Sequence, residues 1–264
     1  LAAPFARAQD GHRPRRAVRA MNAGQAVAGE ANFDCLSMPR PQGLGALQAR
    51  LVDRIKRAAL LRLHRSPRGE RLLLRMYLAG EDATERALLD ELLPQSPPWL
   101  ERQVAQHLAD EQRHVTLFAE ALRERGDDAQ ARLEPDWLSR RKIQRWQRLA
   151  RRYAGHFEQG LLVPAYATGL CAEQMAERVL TRHCAVLDAG HGLYPLLARV
   201  LADEKAHVRL CQNTLRRIVA PHEAGHLARL LKDIRRVDAS FGVTGALAMY
   251  GAGWLLGGRG RVGR

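Results

Sequence analysis

Two short segments of this chain carry the same acidic and imidazole side chains at the same spacing. Residues 108–117 and 201–210 are identical at seven of ten positions, and both contain Asp-Glu-x-x-His. Residues three apart lie on one face of a helix, so each copy directs a carboxylate and an imidazole to the same side. A dinuclear metal centre in a helical bundle needs such a pair from each of two facing helices.

An acidic segment precedes each copy of this motif. Residues 81–86 and 173–178 both read Glu-x-x-x-Glu-Arg. The first glutamate of each segment lies 30 or 31 residues before the glutamate of the following Asp-Glu-x-x-His. At about 1.5 Å per residue, this spacing fits half a helix, a tight turn and a return to the same depth on an antiparallel neighbour. The sequence therefore predicts two helical hairpins that bring four carboxylates and two imidazoles together.

The charge of such a cluster indicates a metal. Four carboxylates in a dry core repel one another and lose their hydration, which is costly unless cations neutralise them. Two divalent cations balance four negative charges. A mixed oxygen and nitrogen donor set suits iron or manganese better than calcium or structural zinc. We therefore expect two iron ions, with manganese as an alternative at one or both positions.

Through these motifs, residues 68–219 resemble the ferritin-like di-iron carboxylate superfamily. They are similar to its oxygenase, desaturase and ribonucleotide reductase small-subunit branch more than to storage ferritins, which usually lack the second histidine. The resemblance implies six metal ligands: Glu81, Glu111, His114, Glu173, Glu204 and His207. It implies that Glu111 and Glu204 bridge the two metals. It also implies that Asp110 and Asp203 hydrogen-bond to ligand histidines and orient them.

Two choices among these ligands stay open. Glu85 lies one turn after Glu81, and Glu177 lies one turn after Glu173, in each case on the same helix face. We prefer the earlier member of each pair because its spacing is nearer to the thirty-odd residues usual in the superfamily. The later glutamates would then lie at the surface or beside the ligands.

Two other side chains lie one turn before an expected ligand. His107 precedes Glu111 and could reach the site, but the second copy of the motif has Val200 at this position, so we favour a core or surface histidine. Tyr77 precedes Glu81, and we favour ordinary packing because aromatic residues at helical spacing usually belong to the core.

The resemblance implies an enzyme that activates O₂ or peroxide at a di-iron site. It would oxidise, hydroxylate or desaturate a small-molecule or acyl substrate, with electrons from an external donor. One alternative is a ferroxidase, or another iron-handling or peroxide-detoxifying ferritin-like protein.

A zinc metallopeptidase is the second alternative. His222-Glu223-x-x-His226 matches the H-E-x-x-H signature, in which two histidines bind zinc and the glutamate acts as a base. Pro221, however, puts His222 in the first turn of a helix, and no clear third ligand follows. The sequence therefore favours the di-iron site.

The expected fold is all-α. It is a ferritin-like four-helix bundle built from two helical hairpins, with additional N- and C-terminal helices. We predict helical segments over 46–63, 68–93, 98–125, 136–158, 164–185, 193–220, 221–237 and 239–256. The chain divides into a disordered or leader segment (1–45), the di-iron bundle (46–219) and a C-terminal helical extension (220–264).

Positive charge is concentrated outside the repeated motif. The formal net charge is +14 at pH 7, and residues 132–152 contain eight basic and two acidic side chains. Such a segment could attract an acidic partner, for which a carrier protein, a reductase and a tRNA are candidates, and a solvated arginine-rich surface is the alternative. A homodimer is also considered, and membrane contact through residues 239–256 is less favoured than a buried helix. The four cysteines give no indication of a disulfide framework, so we expect a reducing compartment and a cytoplasmic location, with organelle targeting by residues 1–20 as an alternative.

Overall fold

Helices make up almost all of the described chain. The computed structural model describes residues 33–87, 96–127 and 137–256. In these ranges it contains seven α-helices and no strand: α1 (Gly43–Leu63), α2 (Pro67–Ala87), α3 (Pro98–Arg123), α4 (Trp137–Ala154), α5 (Leu162–Cys184), α6 (Tyr194–Ile218) and α7 (Ala224–Leu256). The all-α prediction is confirmed. The expected end of the second helix near residue 93 lies outside the described residues.

The two expected hairpins form the centre of the bundle. Helix α2 packs on α3, α5 packs on α6, and the two hairpins meet where α3 contacts α6. Local sequence sets the ends of these helices. Pro98 begins α3, where its missing N–H costs nothing. Gly126 follows the helix with a φ of 68°, a conformation that glycine adopts at low cost.

Two apolar clusters lie above and below the level of the two motifs. One contains Leu100, Leu170 and Leu215. The other contains Phe118 and Leu197. On each of α3, α5 and α6 the motif residues lie between the two clusters in sequence, because the inward-facing positions change from apolar to ionisable there. The bundle therefore holds its ionisable layer between two dry layers.

Helices α1 and α7 flank this bundle. Helix α7 packs on α1, α4 and α5. At Gly253 the two flanking helices approach so closely that a Cβ atom would lie 3.2 Å from the carbonyl oxygen of Ala59. The two C-terminal segments expected at 221–237 and 239–256 instead form one helix that runs through their boundary. The expectation of two segments was wrong because charge changes there, at Asp238, but no proline or glycine breaks the helix.

Candidate metal centre

The six residues expected to bind metal lie together in the ionisable layer. Helix α2 supplies one glutamate, α3 a glutamate and a histidine, α5 a glutamate, and α6 a glutamate and a histidine. Each of the six is at most 8% exposed. Burial this deep requires that the carboxylates be neutralised locally, by protons or by cations.

The first group of donor atoms surrounds His114. Its Nδ1 lies 3.4 Å from Oε2 of Glu81 and 3.6 Å from Oε1 of Glu204. One donor atom from each of these three residues and one from Glu111 lie within 4.8 Å of one another. This group therefore offers three carboxylates and one imidazole.

The second group surrounds His207. Its Nδ1 lies 3.2 Å from Oε1 of Glu111 and 3.8 Å from Oε2 of Glu173. Glu111 belongs to both groups, so they adjoin at one carboxylate. Glu204 lies in the first group and also interacts with Glu173 of the second. Both glutamates expected to bridge are thus at the junction of the two groups.

The fourth member of the second group is His107, for which we favoured a core or surface position. It is 5% exposed, and its Nε2 lies 3.2 Å from Oε1 of Glu111 and 3.4 Å from Oε1 of Glu173. The second copy of the repeat has Val200 at the position equivalent to His107. We took this as evidence against a metal-site role for His107 because we assumed that the two copies were symmetric. The sequence does contain a pattern that could have identified His107, since His107, Glu111 and His114 follow i, i+4, i+7 spacing and so lie on one helix face.

The two aspartates orient the histidines across the bundle. Nε2 of His114 lies 3.2 Å from Oδ2 of Asp203, and Nε2 of His207 lies 3.4 Å from Oδ2 of Asp110. Each aspartate thus serves the histidine of the opposite hairpin. Because a carboxylate only accepts hydrogen bonds, Nε2 of each histidine carries a proton, and Nδ1 is left facing the glutamates, where it can donate to them when protonated or bind a cation once that proton is released.

Several donor atoms at this site have no hydrogen-bond partner. Among the described residues, these buried atoms include Oε2 of Glu111, Nδ1 of His114, Oε1 of Glu204 and Nδ1 of His207. Each buried polar atom that is left without a partner costs about 1–3 kcal/mol. Cations between the two groups would satisfy all four atoms. The donor set therefore fits a pair of metal ions.

The pKa values describe the same site in its metal-free form. Burial raises the pKa of Glu81 to about 8, and the negative charge of Glu111 adds to the effect. Burial and nearby Glu173 raise the pKa of Glu204 well above its ordinary value. Burial disfavours the charged form of His207, but its contacts with Glu111 and Glu173 raise its pKa to about 10. Without metal, protons thus neutralise the layer.

The alternative glutamates lie outside both donor groups. Oε1 of Glu85 accepts a hydrogen bond from Nε2 of Gln112 at 3.2 Å at the exposed surface. Glu177 is half-buried and belongs to neither group. The geometry therefore favours Glu81 and Glu173, the earlier member of each pair.

A third cluster of ionisable groups, around Glu70, lies near the ends of α1 and α5. Oε1 of Glu70 lies 3.1 Å from Nδ1 of His64 and 3.1 Å from Nε2 of His191, and Oε2 accepts a hydrogen bond from Nε of Arg125 at 3.1 Å. The backbone N–H of Leu193 donates to Nδ1 of His191, so Nε2 of that neutral imidazole carries the proton. The proton blocks Nε2 as a metal donor, so this cluster is a hydrogen-bond network.

The network continues to Tyr77. Nε2 of His64 lies 2.5 Å from Nε2 of His183, and Nδ1 of His183 lies 2.8 Å from the hydroxyl of Tyr77. The one proton of neutral His64 is donated to the carboxylate of Glu70, so Nε2 of His64 accepts a hydrogen bond from His183. Nδ1 of His183 in turn accepts a hydrogen bond from the hydroxyl of Tyr77. The ring of Tyr77 stacks on Phe118 with centroids 5.1 Å apart. Tyr77 therefore packs in the core, as we favoured, and also forms a polar contact.

The H-E-x-x-H segment has a structural role. Both carboxylate oxygens of Glu223 accept backbone N–H groups, from Glu158 at 2.6 Å and from Ala220 at 3.0 Å. His222 is exposed, and His226 stacks on the ring of His156. No donor group combines the two histidines of the motif within the described residues. The geometry gives no support to a zinc peptidase site.

The fold and the two donor groups together define a non-haem di-iron carboxylate protein of the ferritin-like class. A comparison with known families agrees and is more specific. The family model described as p-aminobenzoate N-oxygenase AurF matches residues 72–224, and the chain belongs to this family. No curated protein and no solved structure matches the chain. The protein is therefore an enzyme of the non-haem di-iron oxygenase type.

Proposed function

We propose that this enzyme is an N-oxygenase that inserts oxygen from O₂ on the amino nitrogen of a small aromatic amine. The observation that carries the proposal is the pair of buried donor groups that share Glu111 and leave lone pairs unsatisfied. The family description names p-aminobenzoate, which gives the substrate class. In the first turnover one oxygen atom would enter the product as a hydroxylamine, and the other would leave as water, with two electrons from an external donor and two protons. A nitro product would require further turnovers with more O₂ and electrons.

We propose ligands for two iron ions. One ion would be held by the group around His114, namely Glu81, Glu111, His114 and Glu204. The other would be held by the group around His207, namely His107, Glu111, Glu173 and His207. When bound, the metal pair supplies the binding and reduction of O₂.

The protein side chains near the metals would have separate tasks. Asp203 and Asp110 keep the proton of each ligand histidine on Nε2, so that Nδ1 stays available as a donor. The apolar clusters on both sides of the layer exclude water, which limits side reactions of a reactive oxidant.

The test combines metal analysis with an activity assay. Iron-loaded, chemically reduced protein is exposed to O₂ with p-aminobenzoate and related aromatic amines, and products are identified by mass spectrometry. We expect about two irons per chain and hydroxylamino or nitro products. The double variant Glu111→Ala with His207→Ala should lose both iron and product, whereas Glu85→Gln should keep both.

Other outcomes would contradict the proposal in distinguishable ways. O₂ consumption driven by Fe²⁺ alone, with no oxidised amine, would indicate the iron-handling alternative. One zinc ion per chain that survives in the double variant would place the metal outside the bundle layer.

A further inference from the structure

The C-terminal half of α7 presents an uncharged face to solvent. Residues 239–256 include no charged side chain. Exposed positions in this stretch recur at the i, i+3, i+4 spacing of one helix face, and they include Ser240, Val243, Thr244, Leu247, Trp254 and Leu255. The exposed fractions are 56% for Leu247, 70% for Trp254 and 76% for Leu255. A solvated helix face normally carries charged and polar side chains, so this face requires an explanation.

The opposite face of the same stretch is packed against the protein. Ala246 is fully buried, and Gly253 lies against the backbone of Ala59 in α1. Within the described part of the chain, α7 is the single helix that is long and apolar enough to cross a membrane. Its packing on α1 holds it along the protein surface instead. A helix held in this way can lie flat on an apolar surface over about 24 Å, since each residue rises about 1.5 Å.

Basic side chains on α4 border the N-terminal end of this face. A groove between α4 and α7 is lined by Trp137, Arg141, Arg145 and Phe241, among others. The guanidinium of Arg145 lies 5.2 Å from the ring centre of Phe241, which joins the basic and apolar surfaces directly. Arg141, Arg145 and Arg148 form no ion pair with a carboxylate in the described chain, so their charge is available to an anionic partner.

We propose that this combined α4–α7 surface docks the protein on an anionic lipid membrane. Apolar side chains such as Leu247 and Leu255 would enter the boundary of the acyl chains, where tryptophan is also favoured. Arg141 and Arg145 would contact lipid phosphates. A second copy of the chain could cover the apolar stripe of α7 but would offer no anionic group to Arg141 and Arg145 on that stripe, since residues 239–256 contain no carboxylate. An acidic protein would complement the positive charge of the arginines but would leave the long uncharged face of α7 exposed.

The test measures binding of the full-length, iron-loaded protein to sedimented vesicles. We expect the protein to pellet with vesicles that contain phosphatidylglycerol and to stay in solution with pure phosphatidylcholine. Leu247→Glu with Trp254→Glu should reduce the bound fraction at least about tenfold, and so should Arg141→Glu with Arg145→Glu. High salt should weaken binding of the wild type.

A matched pair controls for the change in net charge. Arg102→Glu with Arg209→Glu alters exposed arginines on α3 and α6, changes the net charge by the same amount as Arg141→Glu with Arg145→Glu, and should bind like the wild type. Circular dichroism and iron content verify that each variant is folded. The proposal is overturned if the wild type does not bind anionic vesicles, or if both surface variants bind as it does. A wild type that is dimeric and does not bind vesicles, with Leu247→Glu and Trp254→Glu giving monomers, would assign the face to a second copy instead. Each result is independent of whether the enzyme oxidises an amine.

Discussion

Arg113 links the two halves of the metal layer at the level of single residues. Its Nη2 lies 2.8 Å from Oδ1 of Asp110 and 3.0 Å from Oδ2 of Asp203. The second copy of the motif has Ala206 at the equivalent position. One arginine therefore contacts both aspartates, and through them it fixes the orientation of His114 and His207.

Replacing one of these aspartates should weaken metal binding without removing a ligand. Asp203→Asn keeps the shape of the side chain but removes the charge that favours the Nε2–H form of His114. We expect metal affinity to fall about 10- to 100-fold, measured by competition with a chelator. Glu85→Gln, which also removes one exposed negative charge, is the control and should retain wild-type affinity.

The role of His107 can be tested by replacing it with valine, the residue found at the equivalent position of the second copy of the repeat. His107→Val should leave the fold intact, since Val200 occupies the corresponding place on α6. We expect the metal at the group around His207 to bind more weakly and the other to be retained, so iron content should fall from about two toward one per chain. Unchanged content and affinity would show that His107 is not a ligand.

The sequence predicted some of this arrangement and not the rest. Glu111 and His114 are predictable because i, i+3 spacing and the repeat both indicate them. His107 is not, because Val200 breaks the repeat at that turn. The pairing of Asp203 with His114 depends on how one hairpin is rotated against the other, which the sequence pattern does not encode.

At the level of elements, the turn between α1 and α2 is set by a close backbone approach. A Cβ atom on Gly69 would lie 2.1 Å from the carbonyl oxygen of Leu63, so the turn requires glycine. The Ser66 hydroxyl accepts the N–H of Gly69 and donates to the carbonyl of Leu256 at the end of α7. This turn therefore fixes α1, α2 and α7 together.

Gly69→Ala should consequently destabilise the protein. We expect the free energy of unfolding to fall by about 3 kcal/mol, because backbone atoms must move to admit the methyl group. Gly80→Ala is the matched control on α2. No atom lies within 4 Å of its added Cβ, so it should stabilise the helix by about 0.5–1 kcal/mol. Denaturant unfolding of both variants measures the difference.

The C-terminal helix α7 shows why a helix boundary predicted from a change of charge can be wrong. The sequence changes from basic to uncharged near residue 238, which suggested two segments. A change of charge affects what a helix packs against but does not interrupt its backbone hydrogen bonds, and no proline lies between residues 222 and 256 to do so. Helix α7 accordingly continues through Asp238, and its two halves have different surroundings.

For the whole molecule, the buried ionisable layer couples metal binding to pH. The pKa of His207 is raised to about 10 and that of Glu81 to about 8, so both hold protons at pH 7 when metal is absent. Metal ions must displace these protons. Binding should therefore release protons at pH 7 and weaken as the pH falls.

Isothermal titration calorimetry of metal-free protein with Fe²⁺ under argon measures this release. The observed enthalpy should change with the ionisation enthalpy of the buffer, and the apparent affinity should be higher at pH 8 than at pH 6. An enthalpy that is the same in all buffers would show that the layer is already deprotonated.

The unequal donor groups have a consequence for which metal enters which position. The group around His114 offers three carboxylates and one imidazole, whereas the group around His207 offers two of each. Hard Mn²⁺ favours oxygen donors, and imidazole nitrogen suits the later Fe²⁺. If the chain is offered both ions, we expect manganese to be favoured beside His114 and iron beside His207. Its cofactor would then be determined by the cellular ratio of the two metals as well as by its ligands.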